Sequence, residues 1–301
     1  MVLVSVPATT ANLGPGFDVL GLALNLYNYV EMRLSSHGLT IEVEGEGKAS
    51  IPTDDSNIVF QAARKVWLKC GFKYSGLHIK LFNNIPLARG LGSSAAAITG
   101  GIVAANALAG YPLSTWELLQ LASEFEGHPD NVAPALLGGL VMSIVDGGNI
   151  YAHKIEIRQD LQIGAVIPHF PLSTKKVRQL LPKQVSLEDA VYNISRTAFL
   201  VSAFLQDRLD LLRFGMQDKL HQPYRSTVIP GMEQALARAR AAGAQGVALS
   251  GSGPTLVSFC LDNIDEVCQA MKTAFDEQGV EVSIMKLLPD NQGARVINGG
   301  Y

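Results

Sequence analysis

Alternation of apolar and polar residues marks the first strands. Val2-Leu3-Val4-Ser5-Val6, Thr40-Ile41-Glu42-Val43-Glu44 and Leu77-His78-Ile79-Lys80-Leu81 carry the two-residue period of half-buried strands. Between and after them the pattern lengthens to a helical one. Ser56-Asn57 reads as a cap opening a helix over 58–70, and Gly71 stops it. Further helices are predicted over 93–108, ending at Gly110, and over 114–126. The apolar run 141–145, the turn Asp146-Gly147-Gly148-Asn149 and the strand-like 150–157 form a hinge between two halves. The second half predicts a strand at 161–168, helices at 173–181, 187–206 and 232–242, strands at 246–250 and 255–261, a helix at 264–278 and a strand at 280–287. That order is β-α-β-β-α-β with extra helices inserted, which points to a ferredoxin-like sandwich: one antiparallel sheet with helices on one face. The fold class is α+β, with domains expected at 1–155 and 156–301.

Composition narrows the partners. A chain of 301 residues, 48% of them hydrophobic, is long enough for two cores. Its net charge is −3 and its densest basic cluster is the pair Lys175-Lys176, so no nucleic-acid footprint is expected. The most apolar run, 132–145, is short for a membrane span and is broken by Pro134 and Gly138-Gly139. No signal peptide is read in the first residues, which lack a basic lead. Cys70, Cys260 and Cys268 are scattered and outside metal-ligand spacing, which fits a reducing cytoplasm with the thiols as small hydrophobes.

Candidate chemistry concentrates in Pro86-Leu87-Ala88-Arg89-Gly90-Leu91-Gly92-Ser93-Ser94-Ala95-Ala96-Ala97, where a glycine- and serine-rich turn runs into an alanine-rich helix without an acidic residue. Glycines let successive backbone N–H groups converge on a ligand, and the helix start adds uncapped donors and the positive end of its dipole. Phosphate is the natural guest. Gly92 is followed by Ser93 rather than Lys-Ser/Thr, so the segment is not a Walker A loop. Two more glycine-bearing segments accompany it, Pro7-Ala8-Thr9-Thr10-Ala11-Asn12-Leu13-Gly14-Pro15-Gly16-Phe17-Asp18 and Leu249-Ser250-Gly251-Ser252-Gly253-Pro254-Thr255.

These three segments, in this order and spread over nearly the whole chain, resemble the three motifs of the GHMP small-molecule kinases. The resemblance implies an N-terminal domain like the second domain of ribosomal protein S5, followed by a ferredoxin-like domain, and it implies ATP and Mg²⁺ as cofactors. Residues Pro86, Leu87, Ala88, Arg89, Gly90, Leu91, Gly92, Ser93, Ser94, Ala95 and Ala96 would then form the nucleotide-binding segment, Ala88 to Ser94 wrapping the triphosphate with backbone donors from Gly90, Gly92 and Ser93, and Gly251, Ser252 and Gly253 would close the pocket from the other domain. Ser94 and Glu126 are the implied metal partners, or Glu124 if the alignment slips. Asn57 is placed at the adenine edge, although a helix N-cap explains it as well.

Within the family the chain resembles the homoserine-phosphorylating branch. The resemblance is carried by residues 12–18, Glu126-Gly127-His128-Pro129-Asp130-Asn131-Val132-Ala133-Pro134, Ser173-Thr174-Lys175-Lys176-Val177-Arg178 and His221-Gln222-Pro223-Tyr224-Arg225. L-homoserine carries an ammonium, a carboxylate and a primary alcohol. Asp18 would take the ammonium, Arg178 and Arg225 the carboxylate, and Asn12 and Asn131 the hydroxyl end, with His128 and Asp130 lining the pocket. The catalytic candidates are Asn131 and Thr174, the latter ordering the hydroxyl or forming a helix cap with Ser173. An amide can orient a hydroxyl but cannot take its proton, so no dedicated general base is expected, and the neighbouring Asp130 is a weak candidate for one. A homodimer is the family tendency. Competing readings are a GHMP kinase acting on another small alcohol and a non-catalytic sensor of the same fold. The acidic and basic set of Asp18, Arg178 and Arg225 disfavours a neutral alcohol, and the retention of Ser94 and Glu126 disfavours a sensor.

Overall fold

Strand β1 (Val2–Ala11) runs twice the length of its alternating stretch and is buried from Leu3 onward, so its polar Thr9 and Thr10 lie inside the molecule. Its partner β2 (Leu20–Ser35) was not legible as a strand. The reason is a mixed burial pattern: Leu20 to Leu24 are buried on both faces, and only the later residues alternate. A register shift between Pro7 and Ala8 absorbs the change. Next come β3 (Gly38–Gly45), α1 (Ile58–Cys70) and β4 (Gly76–Asn83). β4 pairs antiparallel with β2 and parallel with β3, and α1 lies in the crossover that parallel neighbours require. The helices α2 (Ser93–Leu108), α3 (Thr115–Glu126) and α4 (Pro129–Leu137) follow. α3 opens with a capping box between Ser114 and Glu117. α4 occupies what reads in sequence as a loop and apolar run, with Pro129 in its first turn, where the missing N–H costs nothing. Gly21 lets α4 settle on β2: a Cβ at that position would lie 1.8 Å from the Asp130 carbonyl oxygen. The hairpin β5 (Leu140–Asp146) and β6 (Asn149–Ile155) completes this half, with β5 pairing along β2.

The second half contains β7 (Gln162–Pro168), α5 (Thr174–Arg178), α6 (Leu187–Leu205), α7 (Leu212–Gly215), α8 (Gln222–Arg225), α9 (Met232–Ala241), β8 (Gly246–Leu249), β9 (Leu256–Cys260), α10 (Ile264–Asp276) and β10 (Val282–Leu287). The four strands lie in the order β10-β7-β9-β8, all antiparallel. This is the ferredoxin-like arrangement expected from the element order. One detail differs from expectation. α9 and α10 cover one face of the sheet through Leu236, Val267, Met271 and Phe275, but the inserted helices cover the other, where Phe204 meets Phe259 edge-on at 6.3 Å between ring centroids. The cluster under that face is continuous with the core of the first sheet, so the two halves share apolar packing.

The computed structural model describes residues 1–297, so residues 298–301 of the expected second domain lie outside the described residues. Within 156–297 the chain also returns to the first sheet. β11 (Arg295–Val296) pairs antiparallel with β1, and Asp290 and Ala294 donate backbone hydrogen bonds to the Ala23 and Ala135 carbonyls. Burial pushes the Cys260 thiol up to about 11, consistent with packing as a protonated hydrophobe. Among the described residues no helix is long and apolar enough to cross a membrane.

Candidate active site

The turn between β4 and α2 is built for anions. Ala88, Gly90 and Gly92 all have positive φ, and Gly92, the N-cap of α2, provides no side-chain cap. The first N–H groups of α2 are therefore left uncapped by the protein, with no acidic residue in the first turn to compete for them. The 249–255 segment clamps this turn from the second sheet. Ser250 Oγ donates to the Gly90 carbonyl at 2.5 Å and lies 2.9 Å from Thr10 Oγ1, while the Thr255 N–H donates to the Arg89 carbonyl. Gly90 is required by that contact, since a Cβ would lie 2.2 Å from the Ser250 carbonyl oxygen. The 7–18 segment joins through the Gly251 N–H, which donates to the Ala11 carbonyl. The three motifs thus meet at one place.

A pocket of about 110 Å³ opens there, lined by Pro86, Ala88 to Ser94, Gly251 and Ser252 on one side and by Asp18, His128, Asp130, Asn131, Thr174, Arg178 and Arg225 on the other. Ala95 and Ala96 are buried in the body of α2, and Gly253 shapes its own turn, its N–H donating to the Ser250 carbonyl. Leu87 faces a second, more apolar cavity of about 410 Å³, with Ile58, Leu81 and Leu172, which shares Ala88, Ser93 and Ser94 with the first. Asn57 borders that cavity but is fully buried and engaged at both polar ends. Its Oδ1 accepts from the Val59 and Phe60 N–H groups at the start of α1, and its Nδ2 donates to the Pro52 carbonyl. These bonds make Asn57 the N-cap of α1.

Ser94 Oγ donates to Glu126 Oε2 at 3.1 Å, and burial pushes the Glu126 carboxyl above the usual carboxylate range. Glu124 is turned to the surface, where it pairs with Lys65 at 3.1 Å. A hydroxyl and a carboxylate beside an anion-binding turn are the hard oxygen donors that suit an octahedral cation bound mainly through phosphates and water.

The acceptor side is made of side chains. Arg178 forks onto both carboxylate oxygens of Asp18. The Phe17 ring has two guanidiniums over it, with the Arg178 and Arg225 carbons each 5.3 Å from its centroid, and it also stacks on His221 at 5.2 Å. His128 Nδ1 lies 2.5 Å from Asp130 Oδ1, a contact that raises the imidazole above its ordinary value despite burial. Asn131 Nδ2 donates to Asp130 Oδ1 and its Oδ1 accepts from Thr9 Oγ1 at 2.9 Å. Thr174 Oγ1, at the start of α5, lies 3.1 Å from Ser252 Oγ in the turn between β8 and β9, a contact within the second half. Asn12, expected at the hydroxyl end, lines the pocket but spends its amide on backbone, donating to the Gly251 carbonyl and accepting from the Asp18 N–H. Arg225 is 2% exposed. Its Nη1 donates to the Gly251 carbonyl at 2.7 Å and to His221 Nδ1 at 3.2 Å, its Nε has no partner, and among the described residues no carboxylate pairs with it. Burial without such a partner pulls its pKa down to about 10.

Comparison with known proteins agrees with this geometry. The family described as GHMP kinases N terminal domain matches residues 57–139, and that described as GHMP kinases C terminal matches residues 200–277. The homoserine kinase of Moorella thermoacetica is 51% identical over 297 residues, 99% of this chain and 100% of the relative. The chain belongs to the homoserine kinase family of GHMP kinases. A second homoserine kinase, from Carboxydothermus hydrogenoformans, is 48% identical over 98% of this chain and 96% of its own. The crystal structure of homoserine kinase from Cytophaga hutchinsonii superposes with a TM-score of 0.90 at 34% identity, covering 98% of this chain and 97% of that one. A mevalonate kinase from L. major, crystallised with R-mevalonate, shares the fold at a TM-score of 0.71 and 16% identity.

For a GHMP kinase of this family, sequence reasoning missed three side chains that shape the site: Thr9, Phe17 and His221. All three lie inside the motifs of the chain, but an aromatic ring and a lone histidine carry no signal of their own. Thr9 is hidden in a strand.

Proposed function

We propose that this chain transfers the γ-phosphoryl group of ATP to the hydroxyl of L-homoserine, giving O-phospho-L-homoserine and ADP, a step of threonine biosynthesis. The observation that carries the acceptor is Arg225, a buried guanidinium with no carboxylate of its own, opening on the same pocket as Asp18 and the phosphate turn. A ligand carboxylate would supply the missing charge, and Asp18 would take the ammonium. Arg178, already on Asp18, stands where it can reach both ends. The backbone donors at the start of α2 hold the phosphates, and the apolar cavity beside Leu87 takes the base.

Phosphoryl transfer to an alcohol passes through a loose transition state, so alignment and charge neutralisation do most of the work. The acceptor oxygen bonds to the γ-phosphorus as the bond to the β–γ bridging oxygen breaks. Asn131 orients the hydroxyl, with its own amide held by Thr9 and Asp130. Asp130 is committed to His128, which favours a reaction without a dedicated base, the hydroxyl proton passing to an oxygen of the transferred phosphoryl group, directly or through water, as the new bond forms. Mg²⁺ bound by Ser94 and Glu126 would neutralise phosphate charge. We place the enzyme in the cytoplasm as a homodimer, with no nucleic-acid or membrane partner.

ADP release from ATP and Mg²⁺ with a panel of amino alcohols tests the reading. Turnover with homoserine above a no-acceptor control is expected; its absence rejects homoserine as the substrate, and no turnover with any acceptor rejects the reaction as well. Arg225→Leu is expected to raise the homoserine KM about 100-fold while leaving the ATP KM within about twofold. Equal rises in both would remove Arg225 from the acceptor.

A further inference from the structure

His221 has no place in the chemistry above, yet it is fully buried and touches Arg225, which lines the acceptor pocket. It is the residue just before α8, and its backbone is fixed by Asp218, whose Oδ2 accepts from the N–H groups of His221 and Gln222. The imidazole is held on three sides. Nε2 lies 2.7 Å from the Gly14 carbonyl and 3.5 Å from Asp218 Oδ2, both acceptors, so this nitrogen carries the proton. Nδ1 lies 3.2 Å from Arg225 Nη1, a donor, so this nitrogen presents its lone pair. Phe17 stacks on the ring at an interplanar angle of 28°.

Arg225 needs such a partner. A guanidinium held by one hydrogen bond, from Nη1 to the Gly251 carbonyl, keeps freedom to swing about that bond. A second acceptor on the same Nη1 fixes the plane of the fork and with it the direction of Nη2 and of Nε, the latter a buried donor without a protein partner. We propose that His221 is a positioning residue for acceptor recognition: as a neutral Nε2–H imidazole anchored on Gly14, it uses Nδ1 to aim the Arg225 guanidinium at the acceptor carboxylate. Burial and the adjacent guanidinium lower the imidazole to about 4, against the pull of Asp218 and Asp18, which agrees with a ring that stays neutral. The inference rests on the assignment of Arg225 to the acceptor carboxylate.

Two variants separate the nitrogens. Asparagine ends at the δ position, so His221→Asn keeps an acceptor for Nη1. Glutamine ends at the ε position, so His221→Gln keeps a donor for Gly14 and removes that acceptor. His221→Gln is expected to raise the homoserine KM about tenfold and His221→Asn no more than about threefold, with the ATP KM and kcat within about twofold in both. In an Arg225→Leu background, His221→Gln is expected to add nothing. Equal effects of the two variants, parallel rises in the ATP KM, additivity with Arg225→Leu, or unfolding of both variants at the assay temperature would overturn the proposal. The outcomes also separate the two assignments. An unchanged homoserine KM in Arg225→Leu alone defeats the reading of Arg225, whereas a raised KM there with additive His221→Gln defeats only the role of His221.

Discussion

At the phosphate end of the pocket the donors are backbone N–H groups of one continuous stretch, and the side chains around them are small. At the acceptor end the groups are side chains brought together from separate elements, with Asp18 and Arg178 lying 160 positions apart. The first construction depends on where the backbone runs, and it fails when a Cβ intrudes. The second depends on which side chain stands at each position, and it can be altered one residue at a time without moving the chain. Recognition of nucleotide and of acceptor are therefore expected to fail in different ways.

The largest effect is expected where the backbone-built end is forced open. Gly90→Ala places a Cβ 2.2 Å from a backbone oxygen at a φ of +83°, and turnover is expected to fall at least about 1000-fold, with a lower melting temperature. Retained activity would show that the turn is soft. Next is the proposed metal pair. Glu126→Gln keeps an acceptor for Ser94 but removes the charge, and the Mg²⁺ concentration for half-maximal rate is expected to rise at least about tenfold. An unchanged Mg²⁺ titration would free Glu126 of that role. Asn131→Ala is expected to lower kcat about tenfold with little change in either KM, since it removes alignment and not binding. Asn131→Asp sharpens the same point: a large gain in rate at high pH would mean that a base matters after all.

The smallest effect is on stability and belongs to the side-chain end. The buried His221 sits at about 4 in the folded chain, below its ordinary value of 6.5. Above pH 6.5 it is neutral in both states and contributes no pH dependence. As the pH falls from 6.5 to 4 the unfolded chain takes up a proton that the folded chain refuses, so stability is lost across that window, on the order of 3 kcal/mol. Asp218 and Asp18 favour the protonated ring and Arg225 opposes it. Urea unfolding at a series of pH values should show this slope, and His221→Gln should flatten it; identical slopes would mean that other groups set the acid response.

The same contrast explains what could be read from the residues alone. The phosphate turn was legible because its donors are contiguous and its glycines are diagnostic, and the second sheet because its strands and helices alternate cleanly. β2 was not, because its burial pattern changes part-way along a single strand. Side-chain direction was the other gap. Glu124 and Glu126 differ by two helical positions, about 200° around the axis, and only the packing of α3 sends one to Lys65 and the other to Ser94. Asn12 and Asn57 have amides that suit a ligand as well as they suit a backbone, and in the fold the backbone takes them. Phe17 draws its importance from the cations over its ring, which arrive from the other half of the chain.

The return of β11 to the first sheet has a consequence for the order in which the molecule is made. Val4 is synthesised early and waits for Val296 as its outer neighbour, and Leu3 likewise receives the Ile297 N–H. Until then the outer edge of β1 is an open row of peptide groups on the nascent chain. The nucleotide half is thus finished after the ferredoxin-like half, and a chain cut short before residue 290 would carry the phosphate turn on a sheet whose rim is still exposed.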